Sequence, residues 1–385
     1  MMTVTNHQSA WMNEDLRIFR SAVQKFIQNE FVPNQARWRS QHGPDPEAWP
    51  AAGRIGMLLP DVPEQYGGGG GTFAHEAIVR EEIAYAGIHF GSGVQSIVAH
   101  YILTYGSEAQ KMKWLPPMAR GELVAAIAMT EPGAGSDLQS IKTTARRDGG
   151  QYVISGSKTF ITNGRLAGLV CLAVKTDPKA TGTRGISLII AETKNQPGFH
   201  AGQPLEKVGM HGQDTCELFF EDVRVPVENL LGETEGQGMF QMMEQLPYER
   251  VSIGLGAVAT SELAVSLTAA YVRERQAFGK ALIELQNTRF SLAECQTEAL
   301  VGRTFIDACV EKFLAGQLDE ITAAMAKYWL TDCQCRIVDK CVQMHGGYGY
   351  MTEYPIARIW ADSRVQRIYA GSNEIMKEMI GWSLL

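Results

Sequence analysis

The chain changes texture twice, and this constrains its fold more than any other feature. From about residue 13 to 122 apolar residues recur at helical spacing; Leu16, Phe19, Val23, Phe26 and Ile27 open the series. From about 123 to 230 short β-rich runs take over: L-V-A-A-I-A-M, Q-Y-V-I-S-G, L-V-C-L-A-V-K, G-I-S-L-I-I-A and C-E-L-F-F-E-D-V-R-V. They are parted by breaker clusters such as D-G-G (148–150) and T-D-P-K-A-T-G-T (176–183). From about 236 onward, breaker-poor segments return at 251–274, 286–315, 319–344 and 364–384. Strands do not alternate with helices, which argues against a Rossmann unit. The order predicts an α+β chain in three parts: an N-terminal helical domain over 1–122, a middle antiparallel β domain over 123–232, and a C-terminal four-helix bundle over 233–385.

A length of 385 residues fits several layers or domains packed together rather than one compact unit. The net charge of −7 argues against a general nucleic-acid surface. Seven cysteines form no C-x-x-C, and Cys333 and Cys335, two apart on a predicted helix, point to different sides. Reduced thiols in a bacterial cytoplasm are expected, with no metal site. No 18-residue apolar run stands out, so no membrane span is expected. The start, M-M-T-V-T-N-H-Q-S-A-W, lacks a basic region ahead of an apolar run and reads as neither a secretory nor a mitochondrial address.

Several motifs carry chemistry. Y-G-G-G-G-G-T (66–72) reads as a connection, because no strand precedes it and no Lys-Ser/Thr follows. A-M-T-E-P-G-A-G-S-D (128–137) turns sharply at Pro132, Gly133 and Gly135, with hydroxyls at Thr130 and Ser136. K-T-F-I-T-N-G (158–164) sets Phe160 and Thr162 on one side of a strand, suited to a face and an edge of a flat ring. R-E-R-Q-A-F-G-K (273–280) joins Arg275, Phe278 and Gly279, able to hold a phosphate and cover an adenine. Q-M-H-G-G-Y-G-Y-M-T-E-Y-P (343–355) is glycine-dense between helices. Each alone also reads plainly, as a turn, a core strand, a solvated helix end or a helix corner.

In combination, T-E-P-G-A-G-S-D, F-I-T-N-G, the R-x-x-F-G step and Q-x-H-G-G-x-G-Y, with Arg358 and Asp362 downstream, resemble the acyl-CoA dehydrogenase family. The match runs from about 13 to 385, and A-M-A-K-Y-W (324–329) and N-E-I-M-K-E (373–378) are most similar to its long-chain branch. The resemblance implies FAD held between subunits of a homotetramer built as a dimer of dimers. It implies that Met129, Thr130, Gly135, Ser136, Phe160 and Thr162 contact FAD from one subunit, and Arg275, Phe278, Gln286, Gln343, Gly346 and Gly347 from the neighbour. Ser372 and Glu374 are implied as further cofactor contacts, and Ser136, Phe240, Tyr248, Arg250, Ala370 and Gly371 as substrate contacts. It further implies acyl-CoA as substrate, an electron-transfer flavoprotein as partner, and the Ala370 backbone N–H with a flavin ribityl hydroxyl as donors to the thioester oxygen.

Most members of the family carry their catalytic glutamate where this chain has Ala370; the long-chain and isovaleryl branches carry it on the first long helix of the bundle. Glu249, in L-P-Y-E-R (246–250), matches that second position. Pro247 distorts its turn, and Met239, Phe240, Met242, Met243, Leu246, Val251 and Ile253 give an apolar setting that should raise its pKa. The plain alternative is a structural glutamate paired with Arg250. The reaction implied is α,β-dehydrogenation of an acyl-CoA of medium to long chain, with positions 249 and 370 flanking one α-carbon. A branched or carrier-protein-bound thioester, a flavin oxidase or monooxygenase, and a flavin-binding structural subunit stand as alternatives. Gly91, Ser92 and Gly93 in I-H-F-G-S-G-V-Q-S (88–96) fit either a deep acyl tunnel or close helix packing.

Overall fold

The computed structural model describes residues 7–180 and 182–385; positions 1–6 of the N-terminal reading and 181 of the 176–183 linker lie outside it. Helix α1 (Glu14–Phe26) starts where Asn13 Oδ1 accepts from Leu16 N at 2.9 Å, and it buries Leu16 and Val23. It leads through a π turn, Ile27–Phe31, to α2 (Gln35–Ser40), α3 (Ala48–Arg54), α4 (Phe73–Tyr85), α5 (Ser92–Tyr105) and α6 (Glu108–Ala119). The glycine run before α4 is a packed connection. Gly69 N, Gly70 N and Gly71 N donate to carbonyls of Leu59, Val62 and Pro60. A Cβ on Gly68 or Gly69 would strike the backbone of Val62 or Pro60, which is why no larger residue fits.

The middle domain holds β1 (Ala125–Ala128), β2 (Thr144–Asp148), β3 (Gln151–Thr162), β4 (Leu169–Lys175), β5 (Ile186–Glu192), β6 (Phe199–Ala201) and β7 (Thr215–Pro226). The order is β1-β4-β2-β3-β7-β6, with β5 on the other edge of β4. This corrects the purely antiparallel expectation: β1 and β2 both pair with β4 in parallel, while β2–β3, β3–β7, β4–β5 and β6–β7 are antiparallel. Leu169–Val174 is buried at every position, as in a strand covered on both faces, and such a strand accepts partners in either direction.

The C-terminal part holds α7 (Gly238–Glu274), α8 (Gln286–Leu314), α9 (Glu320–His345), α10 (Pro355–Ser363) and α11 (Asn373–Trp382), with a ribbon of β8 (Gln276–Ala277) and β9 (Lys280–Ala281) after α7. The helix expected over 364–384 is broken. A 3₁₀ turn at Arg364–Arg367 gives way to left-handed Ala370 (φ +50°) and Gly371 (φ +87°), and Ser372 then caps α11 through Ile375 N at 3.4 Å. Helix α7 also begins earlier than expected and runs through Pro247. Among the described residues it is long and apolar enough to cross a membrane, with an 18-residue window of mean hydropathy 1.4, contrary to the sequence expectation; 56% of that window is buried inside the protein.

The helical domains are fastened by Arg303 of α8, which is 5% exposed. It bonds Glu262 of α7 at 2.8 and 3.0 Å, Tyr85 Oη at 3.0 Å, and Glu81 of α4. This fixes α4 and α7 on either side of the cavity described next.

Candidate active site

A cavity of about 370 Å³ opens where the three parts meet, between α4 and α5, the ends of β1 and β3, α7, and α9–α10. Glu249 faces it from α7 and is 7% exposed. Among the described residues its one hydrogen-bond donor from a side chain is Tyr101 of α5, whose hydroxyl donates to Oε1 at 3.1 Å. Burial raises the carboxyl to about 7, against the smaller pull of the Tyr101 bond and the Arg250 charge. A carboxylate of that kind takes up a proton near neutrality.

Arg250 turns away from Glu249, because consecutive helical residues do not face one another. Its Nη2 lies 3.4 Å from Met379 Sδ of α11, and Nε and Nη1 have no hydrogen-bond partner among the described residues. Tyr248 is buried against Phe73, His100 and Phe313. Neither lines the cavity. Phe240 is 62% exposed outside the wall.

Ala370 lines the same cavity as Glu249, so the bundle does bring these positions together. The sequence reading missed what holds Ala370 in place. Lys327 of α9, fully buried, donates from Nζ to Gly371 O at 2.7 Å and to Asn373 Oδ1 at 2.9 Å. That bond fixes the left-handed Ala370–Gly371 step, and with it the direction of the Ala370 N–H.

The 128–137 loop is anchored from beneath. Lys158 Nζ, fully buried, donates to Glu131 Oε1 at 2.8 Å and to Met129 O at 3.0 Å; Glu131 also accepts from Lys142 N and Thr143 N. Met129, Thr130 and Thr162 line the cavity. Gly135, Ser136 and Phe160 lie on the loop and strand beside it, with Phe160 at φ +60° and 68% exposed. Asn163, unremarked in the sequence, donates to Gly91 O and Ala125 O at 3.0 Å each, tying β3 to α5 and β1. Gln334 Oε1 and Gln366 Oε1, on residues that line the cavity, are buried without hydrogen-bond partners among the described residues. Paired threonine hydroxyls and unanswered amide oxygens fit a flat heteroaromatic ring with polar edges.

The second set of expected cofactor residues lies elsewhere. Arg275, Gln343, Gly346 and Gly347 line a separate concavity of about 610 Å³, where the Arg275 guanidinium stands 5.3 Å from the Tyr348 ring centre. Phe278 at φ +54° is 92% exposed, and Gln286 opens α8. Ser372 and Glu374 lie at the start of α11, outside both hollows. The residues expected to touch the cofactor therefore fall in two separate places on the chain.

Of the two readings of Gly91 and Gly93, close packing describes their immediate surroundings. Both line the cavity, yet a Cβ on Gly91 would strike the Asn163 amide and one on Gly93 the Arg80 guanidinium. Their small size admits side chains of the protein itself. Gly91→Ala is expected to break the Asn163 anchor and lower the melting temperature by several degrees; an unchanged melting temperature would show that Asn163 moves freely.

Comparison with known proteins agrees with this architecture. The chain matches the acyl-CoA dehydrogenase N-terminal domain over residues 13–122, the middle domain over 126–223 and the C-terminal domain over 236–385. It is 46% identical over 367 residues to the mitochondrial long-chain specific acyl-CoA dehydrogenase of Sus scrofa, covering 94% of this chain and 85% of that one. It is 36% identical to the mitochondrial isovaleryl-CoA dehydrogenase of Oryza sativa subsp. japonica, covering 95% and 90%. The crystal structure of an acyl-CoA dehydrogenase from Geobacillus kaustophilus superposes with a TM-score of 0.96 at 46% identity, covering 98% of this chain and all of that one. A glutaryl-CoA dehydrogenase from Mycobacterium smegmatis, solved in complex with FADH2, superposes with a TM-score of 0.90 at 27% identity, covering 97% and 95%. With all three domains matched in order, this chain belongs to the acyl-CoA dehydrogenase family of FAD-dependent oxidoreductases.

Proposed function

We propose that this enzyme oxidises the α,β bond of an acyl-CoA of medium to long chain to the trans-2-enoyl thioester, and that electrons then leave to an electron-transfer flavoprotein. The observation that carries this reading is Glu249: a buried carboxylate, raised to about 7, on the wall of a largely apolar cavity shared with Ala370. Bound FAD supplies the hydride acceptor for the β-carbon. Glu249 takes the α-proton on its carboxylate, and Tyr101 holds that carboxylate in one orientation. The Ala370 N–H, set by Lys327 through Gly371, donates to the thioester oxygen as negative charge grows there. The α4–α5 wall and the bundle exclude water, which strengthens both interactions. The test is anaerobic mixing of the yellow protein with a panel of straight and branched acyl-CoAs. Bleaching of the flavin by medium or long chains supports the reading, and no bleaching by any acyl-CoA overturns it.

The assembly proposed is a homotetramer, a dimer of dimers, in which the half-site around Arg275 completes the partner's cofactor site. Arg275→Ala is expected to weaken FAD retention by about tenfold or more, since a phosphate would lose a charge-assisted bond. Flavin content after dialysis, with light scattering for the assembly, checks it; full retention would remove Arg275 from the site. A cytoplasmic location is proposed with it, consistent with seven free cysteines.

A further inference from the structure

We propose that Arg80 makes the acyl cavity selective for thioesters whose chain carries an oxygen acceptor at its far end, a hydroxyl, carbonyl or carboxylate. This rests on the acyl-CoA reading above and concerns the same cavity. Arg80 projects from α4 into the cavity lining, over Gly93 of α5. A Cβ on Gly93 would strike Arg80 Nη1, so the guanidinium occupies the space that a side chain at 93 would otherwise fill. Along α5, Gly93 lies eight residues before Tyr101, the partner of Glu249, which is about 12 Å at 1.5 Å per residue. The guanidinium thus stands on the cavity wall over Gly93, roughly two turns of α5 from Tyr101.

The way there is apolar, lined by Ile83, Ala84, Val94 and Ile97. The wall at Arg80 is not. Arg80 is ion-paired with Glu76 one helical turn earlier, and Glu76, 1% exposed, also accepts from Ser96 Oγ at 3.1 Å. Behind them His100 and Asp61 pair at 3.0 Å. Glu76 therefore answers Arg80 through Nη2 but does not answer every donor of the fork: Nε has no hydrogen-bond acceptor among the described residues, although the side chain is only 13% exposed. Guanidinium is a fork of five donors that cannot lose its charge. A plain methyl end packed against it would exclude water and leave Nε unanswered. A chain ending in oxygen would answer it. Because Glu76 already supplies an anion, a neutral hydroxyl suffices.

The experiment is stopped-flow flavin bleaching of FAD-loaded enzyme by matched acyl-CoAs of equal carbon number, with plain, ω-hydroxy or ω-carboxy ends, over a range of lengths. For wild type, the rate constant divided by the dissociation constant should favour an oxygenated end by about tenfold or more at the best length, the worth of one charge-assisted hydrogen bond. Preference for ω-carboxy alone assigns an anion, and preference for both ends assigns any oxygen; either supports the proposal. In Arg80→Met, and in Glu76→Gln/Arg80→Met, which removes the buried carboxylate along with its partner, the ratio should collapse to near one. Wild type with no preference at any length, or a preference that survives in both variants, overturns the role of Arg80 while leaving the dehydrogenase reading intact. If no acyl-CoA of any series bleaches the flavin, the dehydrogenase reading falls, and this proposal with it.

Discussion

Glu249→Gln should keep the fold and the bound FAD and lower the rate of flavin reduction by roughly 10²–10⁴-fold, the range for losing a general base. Glutamine still accepts from Tyr101 but cannot take a proton. In wild type the base form is needed, so the rate should climb as pH rises through about 7 and level off above it. The variant should lose that step. Stability should run the other way. The carboxyl sits near 7 in the fold against its ordinary 4.5, so ionising it opposes folding. This penalty is absent below pH 4.5, grows between 4.5 and 7, and is complete above 7, at about 3 kcal/mol. Glu249→Gln should therefore melt higher than wild type at pH 8 and about level with it at pH 4.5. Near-normal flavin reduction in the variant would place the base elsewhere. Restoring part of the activity with Glu249→Gly and Ala370→Glu together would show that both positions reach one proton.

The second large effect concerns Lys158. Lys158→Met should destabilise the protein by about 3–5 kcal/mol, because it leaves the Glu131 carboxylate buried without a counter-charge. Burial holds the Lys158 ammonium near 8, well below its ordinary range, even with Glu131 raising it. The pair is thus expensive to bury and more expensive to break. The same substitution frees Met129 O, at the point where the 128–137 loop enters the cavity. FAD retention should fall along with stability. Glu131→Gln/Lys158→Met should recover most of the stability, since a neutral amide needs no counter-ion. Chemical denaturation of the three proteins is the measurement; a single variant within 1 kcal/mol of wild type would show that the Glu131 backbone bonds suffice alone.

Much of this was legible in the chain. Periodicity gave the three textures, because amphipathic helices and β-rich runs announce themselves locally. Glu249 was legible from its apolar neighbours, and its deep burial follows from them. What escaped depends on partners far apart in sequence. Arg80 sits in a charged stretch, V-R-E-E-I, where Glu81 and Glu82 are buried because Arg303 and Arg20 reach them from distant helices. The parallel partners of β4 are set by packing on both its faces, which no run of residues encodes. The break at 368–372 did leave a signal, Gly371 followed by the cap Ser372, but the apolar Val365 and Ile368 masked it. The two glycines at 91 and 93 fit either a tunnel or close packing in sequence, and only the folded chain shows that Asn163 and Arg80 stand against them.

The Ala370–Gly371 step has a consequence for how such enzymes diverge. Its left-handed backbone is held by Lys327 through Gly371 O and Asn373, and neither contact involves the side chain at 370. The part that would grip the thioester oxygen is therefore indifferent to what position 370 carries. On the mechanism proposed above, the proton acceptor moves from this loop to the helix at 249, or back, by an exchange of two side chains while the amide stays put. On that reading the base is portable and the oxygen holder is fixed, so mutational paths between branches need not pass through a chain that has lost both.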